Sequence, residues 1–215
     1  AASDGDEIIV MPGTYTSTEN EVVNMNGKAV WLHSSGGAEV TIIDGEGTRR
    51  GIYCGNDETS NTVIEGFTLT NGYAGDYGGG MFNDNSSPTL TSCTFEGNYA
   101  YNSGGGMYNW DSSSPTLINC TLCSNTPNQI WGPWSDEGGN TVAAICPVPG
   151  ACCTNDHCLV SEQEKCLAFF GQWQGEGTTC EDNPCPTSCL GDVTGDGQVD
   201  VTDILVVISV WGACP

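Results

Sequence analysis

The feature that most constrains this chain is a repeat too short to be a domain and too long to be a helical period. The segment GGGMFNDNSSPTLTSCTFEGNYA (78–100) returns as GGGMYNWDSSSPTLINCTLCSNT (104–126), offset by 26 residues and by 27 after one inserted Ser. Met81 falls on Met107, Pro88 on Pro115, Cys93 on Cys120 and Asn98 on Asn125. A weaker copy, GIYCGNDETSNTVIEGFTLTNGYA (51–74), places Cys54 at the Met81 position and Phe67 at the Cys93 position. A unit of this size cannot bury an apolar face alone, so its copies must stack on one another.

Within each copy, runs of three to five strand-forming residues alternate with Gly, Asn, Asp and Ser. GGMYN, PTLI and CTL are the runs of the last copy. They are too short and too often interrupted for a helix. Three short strands per repeat predict one coil of a right-handed parallel β-helix, each coil stacking on the next at about 4.8 Å. Equivalent side chains then form ladders: Phe67–Cys93–Cys120, Leu69–Phe95–Leu122 and Met81–Met107. Asn98 and Asn125 are placed to bond turn backbone from coil to coil. EIIV (7–10), EVVN (21–24), AVWLH (29–33) and VTIID (40–44) extend the same plan toward the N-terminus. The segment 128–146 is expected to close the stack, with Trp131 and Trp134 covering its end. The fold class expected is mainly β: a short parallel β-helix of about five coils over 1–146, roughly 25 Å long.

The segments DGDEIIVMPGTY, EVTIIDGEG, TVIEGFTLTNG and the GGGM…N…SSPTL…NCT repeats resemble secreted, pectin-lyase-like parallel β-helix proteins of planctomycetes and related environmental bacteria. The resemblance spans roughly 1–145 and implies fold rather than function. After Pro147–Gly150, which reads as a linker, GACCTNDHCLVSEQEKCLAFFGQWQGEGTTCEDNPCP (150–186) resembles a small Cys-rich module of the same class of proteins. So small a module needs covalent staples. Cys152, Cys153, Cys158, Cys166, Cys180 and Cys185 suit three disulfides whose connectivity is left open. A zinc site with His157 is the alternative, but the spacings match no common finger. Within 147–189, SEQEKCLAFFG is expected to form one short helix, with Ser161 and Glu164 at capping-box spacing.

The third segment, 190–215, opens with GDVTGDGQVDVTD. An EF-hand loop takes oxygen ligands at its first, third, fifth, seventh, ninth and twelfth positions, with Gly at the sixth for a sharp turn. Counted from Asp192, these are Asp192, Thr194, Asp196, the Gln198 carbonyl, Asp200 and Asp203, with Gly197 at the turn. Such a set supplies a hard cation, Ca2+, with its oxygens. Asp at the twelfth position followed by ILVVISVWG resembles the dockerin type I repeat, a calcium loop with only an exiting helix. A complete dockerin has two repeats and this chain has one, so the cohesin docking that the family implies loses half its basis.

Composition limits the partners. Twenty-seven acidic residues against four basic ones give a formal net charge of −23. Nucleic acid and anionic membrane surfaces are excluded as partners, since little here neutralises phosphate. No apolar run approaches the roughly 18 residues of a membrane span, so no membrane insertion is expected. Thirteen cysteines, eight of them between Cys146 and Cys189, point to an oxidising compartment, and hence to secretion or the cell surface. Asn85 and Asn119 head N-x-Ser/Thr sequons and are the glycosylation candidates. The opening AASDGDEIIV reads as a mature or trimmed product.

Catalysis finds weak support. Glycoside hydrolysis needs two facing carboxylates, and Asp57, Asp84 and Asp111 recur at intervals of 27. They read better as turn residues. Lyase chemistry needs a base, and Arg49 and Arg50 read as a solvated Gly-flanked turn. His33 reads as structural. Tyr73, Tyr77, Tyr99, Tyr101, Tyr108 and Trp110 recur near the Gly-rich turns and offer a stacking platform for surface glycans. With no room for an amphipathic cap before the first strand, the open end of the stack invites another chain to add. The expectation is a non-catalytic extracellular structural protein that stacks head-to-tail into a homopolymeric, glycosylated fibre. Carbohydrate adhesion or dockerin-type attachment is the alternative, and a polysaccharide lyase or glycoside hydrolase a further one.

Overall fold

The computed structural model describes residues 2–147, 150–154, 157–161, 172–176 and 180. The chain divides into two compact units, Ala1–Cys146 and Pro147–Pro215.

The first unit winds as a right-handed parallel solenoid of about five turns. Its first coil holds β1 (Glu7–Val10), β2 (Gly13–Tyr15) and β3 (Glu21–Asn24). The second holds β4 (Trp31–Ser34), β5 (Thr41–Asp44) and β6 (Arg50–Cys54). Coils three and four gain a short extra strand: β7 (Val63–Glu65), β8 (Thr68–Thr70), β9 (Tyr73–Ala74) and β10 (Met81–Asp84), then β11 (Thr89–Thr91), β12 (Thr94–Glu96), β13 (Tyr99–Ala100) and β14 (Met107–Trp110). The fifth coil holds β15 (Thr116–Ile118), β16 (Thr121–Cys123) and β17 (Ile130–Trp131), and β18 (Ser135–Asp136) and β19 (Thr141–Ala143) begin a sixth. Three long parallel sheets result, ordered β1-β4-β7-β11-β15-β18, β2-β5-β8-β12-β16-β19 and β3-β6-β10-β14-β17, and β9 and β13 pair as a short fourth.

The interior is the set of ladders that the repeat predicts. Leu69, Phe95 and Leu122 stand in register and are fully buried, as are Met81 and Met107. Phe67, Cys93 and Cys120 are buried beside them. The weak copy is different. Met81 pairs with Ile52, and Cys54 lies opposite Asn83. Cys54 is therefore displaced by two residues from its expected place, because the turn leading to β7 is longer than its later counterparts. The Asp ladder also fails to form, since Asp84 stands opposite Trp110 rather than Asp111.

The corners repeat as faithfully as the strands. Gly66, Ser92 and Asn119 all take a positive φ between sheets one and two, and Asn71, Gly97 and Ser124 do so at the next corner. Left-handed corners favour Gly and Asn, which accounts for the polar spacing between strand runs. The GGG triplets have a separate cause. At Gly80 a side chain would meet Gly106 O of the following coil at 2.5 Å. Gly80 N donates to Gly105 O at 2.8 Å, so two backbones pass there with no room for Cβ.

At the end formed by the first coil, Ile8, Val23, Met25, Val30 and Leu32 surround a cavity of about 390 Å³. At the other end Trp134 and Ile130 are half-buried against the core. Trp131 does not cover the core as expected. It is 41% exposed on the outer surface. Cys123 and Cys146 form a disulfide that ties the segment after β19 back to β16.

In the second unit, β20 (Gly150–Thr154), β21 (His157–Ser161) and β22 (Gln172–Glu176) make an antiparallel sheet ordered β21-β20-β22. Cys180 is disulfide-bonded. Ser161, expected to cap a helix, ends β21 instead; the rest of that expected helix (162–171, with Cys166), Cys185 and the whole calcium loop lie outside the described residues.

Candidate functional site

The outward side chains of the third sheet form a continuous aromatic ladder. Register places Asn24, Tyr53, Phe82, Tyr108 and Trp131 in one row across five coils. Their rings stack at centroid distances of 6.0 Å for Tyr53–Phe82, 5.4 Å for Phe82–Tyr108 and 4.5 Å for Tyr108–Trp131. Tyr77 leans on Tyr108 at 4.5 Å, and Trp110, 49% exposed, lies 6.1 Å from it. Parallel strands set the spacing, and offset stacking at such distances is favourable.

Arg50 completes this face. It lies at the start of β6 rather than in a solvated turn. Its Nε donates to Gly78 O at 2.7 Å and its Nη2 to Tyr77 O at 2.8 Å. The guanidinium sits 4.9 Å from the Phe82 ring centre and 5.9 Å from that of Tyr53, a cation–π arrangement. Burial pulls its pKa below the ordinary arginine value, against the opposing effect of Asp76 and Glu21. Arg49 turns away and pairs with Glu46.

A second aromatic row lies at β9 and β13. Tyr73 and Tyr99 are in register, stacked 5.7 Å apart and nearly parallel at 8°, and each is 40% exposed. Beside Tyr73, the coil-two side of this row opens into a polar groove of about 410 Å³.

Acid–base machinery does not assemble on either row. Glu58, 3% exposed, accepts from Gly27 N at 2.7 Å, Asn56 N at 2.8 Å and Ser86 Oγ at 2.8 Å. It is a buried carboxylate spent on tying three coils together. His33 shares a hydrogen bond of 2.9 Å with Glu7 and stacks on Trp31. Among the described residues no group of three His, Cys, Asp or Glu side chains is placed to hold a metal. Asp192, Thr194, Asp196, Gln198, Asp200 and Asp203 lie outside those residues. Asn85 and Asn119 are both exposed and both sit at left-handed corners.

Of the platform residues read from the sequence, the structure brings Tyr77, Tyr108 and Trp110 together on one face and Tyr73 and Tyr99 on another. Tyr101 is 71% exposed and belongs to neither stack. Tyr53, Phe82, Trp131 and Arg50 were not singled out as part of a platform. Register was the available signal for the three aromatics, because Tyr53, Phe82 and Trp131 each follow a strand residue that packs on the core, Ile52, Met81 and Ile130; Arg50, at the first position of β6, carried no such signal.

The family model for the right handed beta helix region matches residues 5–171. No curated protein and no solved structure matches the chain.

Proposed function

The chain belongs to the right-handed β-helix family, whose fold serves enzymes and non-enzymes alike, and from that premise we propose a non-catalytic extracellular structural protein that adds head-to-tail onto copies of itself. The observation that carries this reading is the matching character of the two ends of the solenoid. Among the described residues β1, β2 and β3 each have one neighbour, as do β17, β18 and β19. All strands of the solenoid run parallel, so a second copy placed on the first continues its three long sheets in the same sense. The cavity lined by Ile8, Val23 and Met25 offers apolar surface to the Ile130 and Trp134 end of a neighbour. A heterologous contact that does not close generates a filament.

The free edge can be tested selectively. Val10 O accepts from Ser35 N on the β4 side. The adjacent Ile9 N–H and C=O therefore point the other way, to the open edge. Ile9→Pro removes an edge donor without removing a β1–β4 bond. Sedimentation velocity of natively purified protein should show large, concentration-dependent species that this substitution abolishes. Monomers at every concentration would overturn the proposal.

Calcium held by the loop at 192–203, the three disulfides of the Cys-rich segment, and glycans on Asn85 and Asn119 fit an extracellular setting and belong to the same proposal. The aromatic face supports glycan contact as a second reading.

A further inference from the structure

We propose that the polar groove beside Tyr73 binds a pyranose unit of a neutral polysaccharide. It is lined by Thr18, Glu19 and Asn20 of the first coil, Arg49 and Arg50 of the second, and Tyr73 and Asp76 of the third. This inference does not depend on whether the chain polymerises.

Three observations point to this ligand class. The first is the orientation of Tyr73. Tyr99, its stacking partner, belongs to the fourth coil, whereas the groove is lined by coils one to three. One face of the Tyr73 ring is therefore covered by Tyr99 and the other looks toward the groove. An aromatic face at the wall of a polar cleft receives the C–H face of a sugar ring, burying apolar area while leaving the hydroxyls free to bond.

The second is the donor and acceptor set. Arg50 uses Nε and Nη2 on the carbonyls of Gly78 and Tyr77, which fixes the plane of the guanidinium. Nη1 has no hydrogen-bond partner among the described residues. The Asp76 carboxylate lies 4.0 Å from Nη2 and is 68% exposed. A fixed donor beside an acceptor suits neighbouring hydroxyls, each of which both donates and accepts.

The third is charge. Arg49 and Arg50 line the groove together with Glu19 and Asp76, and Arg49 is paired with Glu46 beside it. With that partner counted, three acidic groups meet two basic ones, on a chain of net charge −23. A uronate or sulfated chain would meet repulsion at close range, where screening over about 8 Å is least effective. A neutral sugar meets none.

The test is isothermal titration of the full chain with neutral hexasaccharides of glucose, xylose and mannose, and with oligogalacturonate. The expected result is binding of at least one neutral oligosaccharide, weakened about tenfold or more by Tyr73→Ala. Asp76→Ala, at an exposed position that cannot disturb the core, should weaken it as well. Absence of binding by all neutral sugars, binding unaffected by both substitutions, or tighter binding of the uronate would each overturn the proposal.

Discussion

The Asn98 side-chain amide donates to Asn125 Oδ1 at 2.9 Å and to Leu69 O at 2.9 Å, so one residue bonds the coils on both sides of it. Asn98 Oδ1 also accepts from Gly72 N at 2.8 Å. Asn125 repeats the pattern, donating to Phe95 O at 2.9 Å and accepting from Asn98 N at 2.9 Å. These amides saturate corner backbone that the solenoid would otherwise bury unpaired. Asn98→Ala should cost about 2–5 kcal/mol, since it orphans buried groups on two coils. Phe95→Ala should cost about 3–5 kcal/mol by leaving a cavity in the central ladder. Chemical denaturation followed by circular dichroism measures both.

The thiols make a second prediction. Cys54, Cys93 and Cys120 are free and buried. The Cys93 thiol is pushed well above its ordinary value by its hydrogen bond with Cys120 and by burial, and Cys54 by burial and then by the Glu58 charge. Thiolate is the reactive form. The Cys120 thiol is drawn below its ordinary value by its hydrogen bond with Cys93, and it is shielded by full burial instead. Alkylation with mass mapping should leave all three unmodified in the native protein and label them after unfolding. Cys123 and Cys146 should label only after reduction. Rapid native labelling of Cys93 would contradict this packing.

Tyrosine ionisation gives the pH dependence. Burial raises the Tyr53 and Tyr108 phenols above the ordinary 10.0, with the Asp84 charge adding at Tyr53 and Tyr77 adding at Tyr108. In the unfolded chain these groups release their protons first, so above about pH 10 the unfolded state binds fewer protons and folding stability falls. The contribution is whole below that pH and is lost as pH climbs through the raised values. Tyr53→Phe and Tyr108→Phe should each make the alkaline loss of stability shallower. An unchanged slope in both would contradict the assignment.

Much of the solenoid was legible because its ladders are sequence identities. Phe95 beside Leu122 and Asn98 beside Asn125 follow from the repeat offset alone, before any strand is placed. Register failed where the offset changed. The longer turn before Val63 moved Ile52 rather than Cys54 opposite Met81. The Cys123–Cys146 bridge was hidden because the cysteine-dense stretch drew Cys146 toward the module that follows it. The aromatic face was half legible. Tyr77, Tyr108 and Trp110 sit near the Gly triplets, but Tyr53, Phe82 and Trp131 become one row only when strand alternation is applied across coils. Arg50 looked like a turn residue beside Arg49, and its role emerges only from the carbonyls of Tyr77 and Gly78 one coil away.

Calcium supplies a fourth prediction. One calcium ion per chain should bind at the loop from Asp192 to Asp203, and Asp192→Ala together with Asp196→Ala should abolish the binding isotherm. Chelation should raise protease sensitivity within 190–215. Binding that survives the double substitution would place the ion elsewhere.

Electron imaging of the native assembly tests the central claim most directly. Continuous stacking of between five and six coils per subunit predicts unbranched filaments with an axial repeat of about 27 Å, set by the strand spacing, and their loss in Ile9→Pro. Isolated particles in the natively purified protein, or filaments that persist unchanged in Ile9→Pro, would contradict head-to-tail addition through the sheet edges.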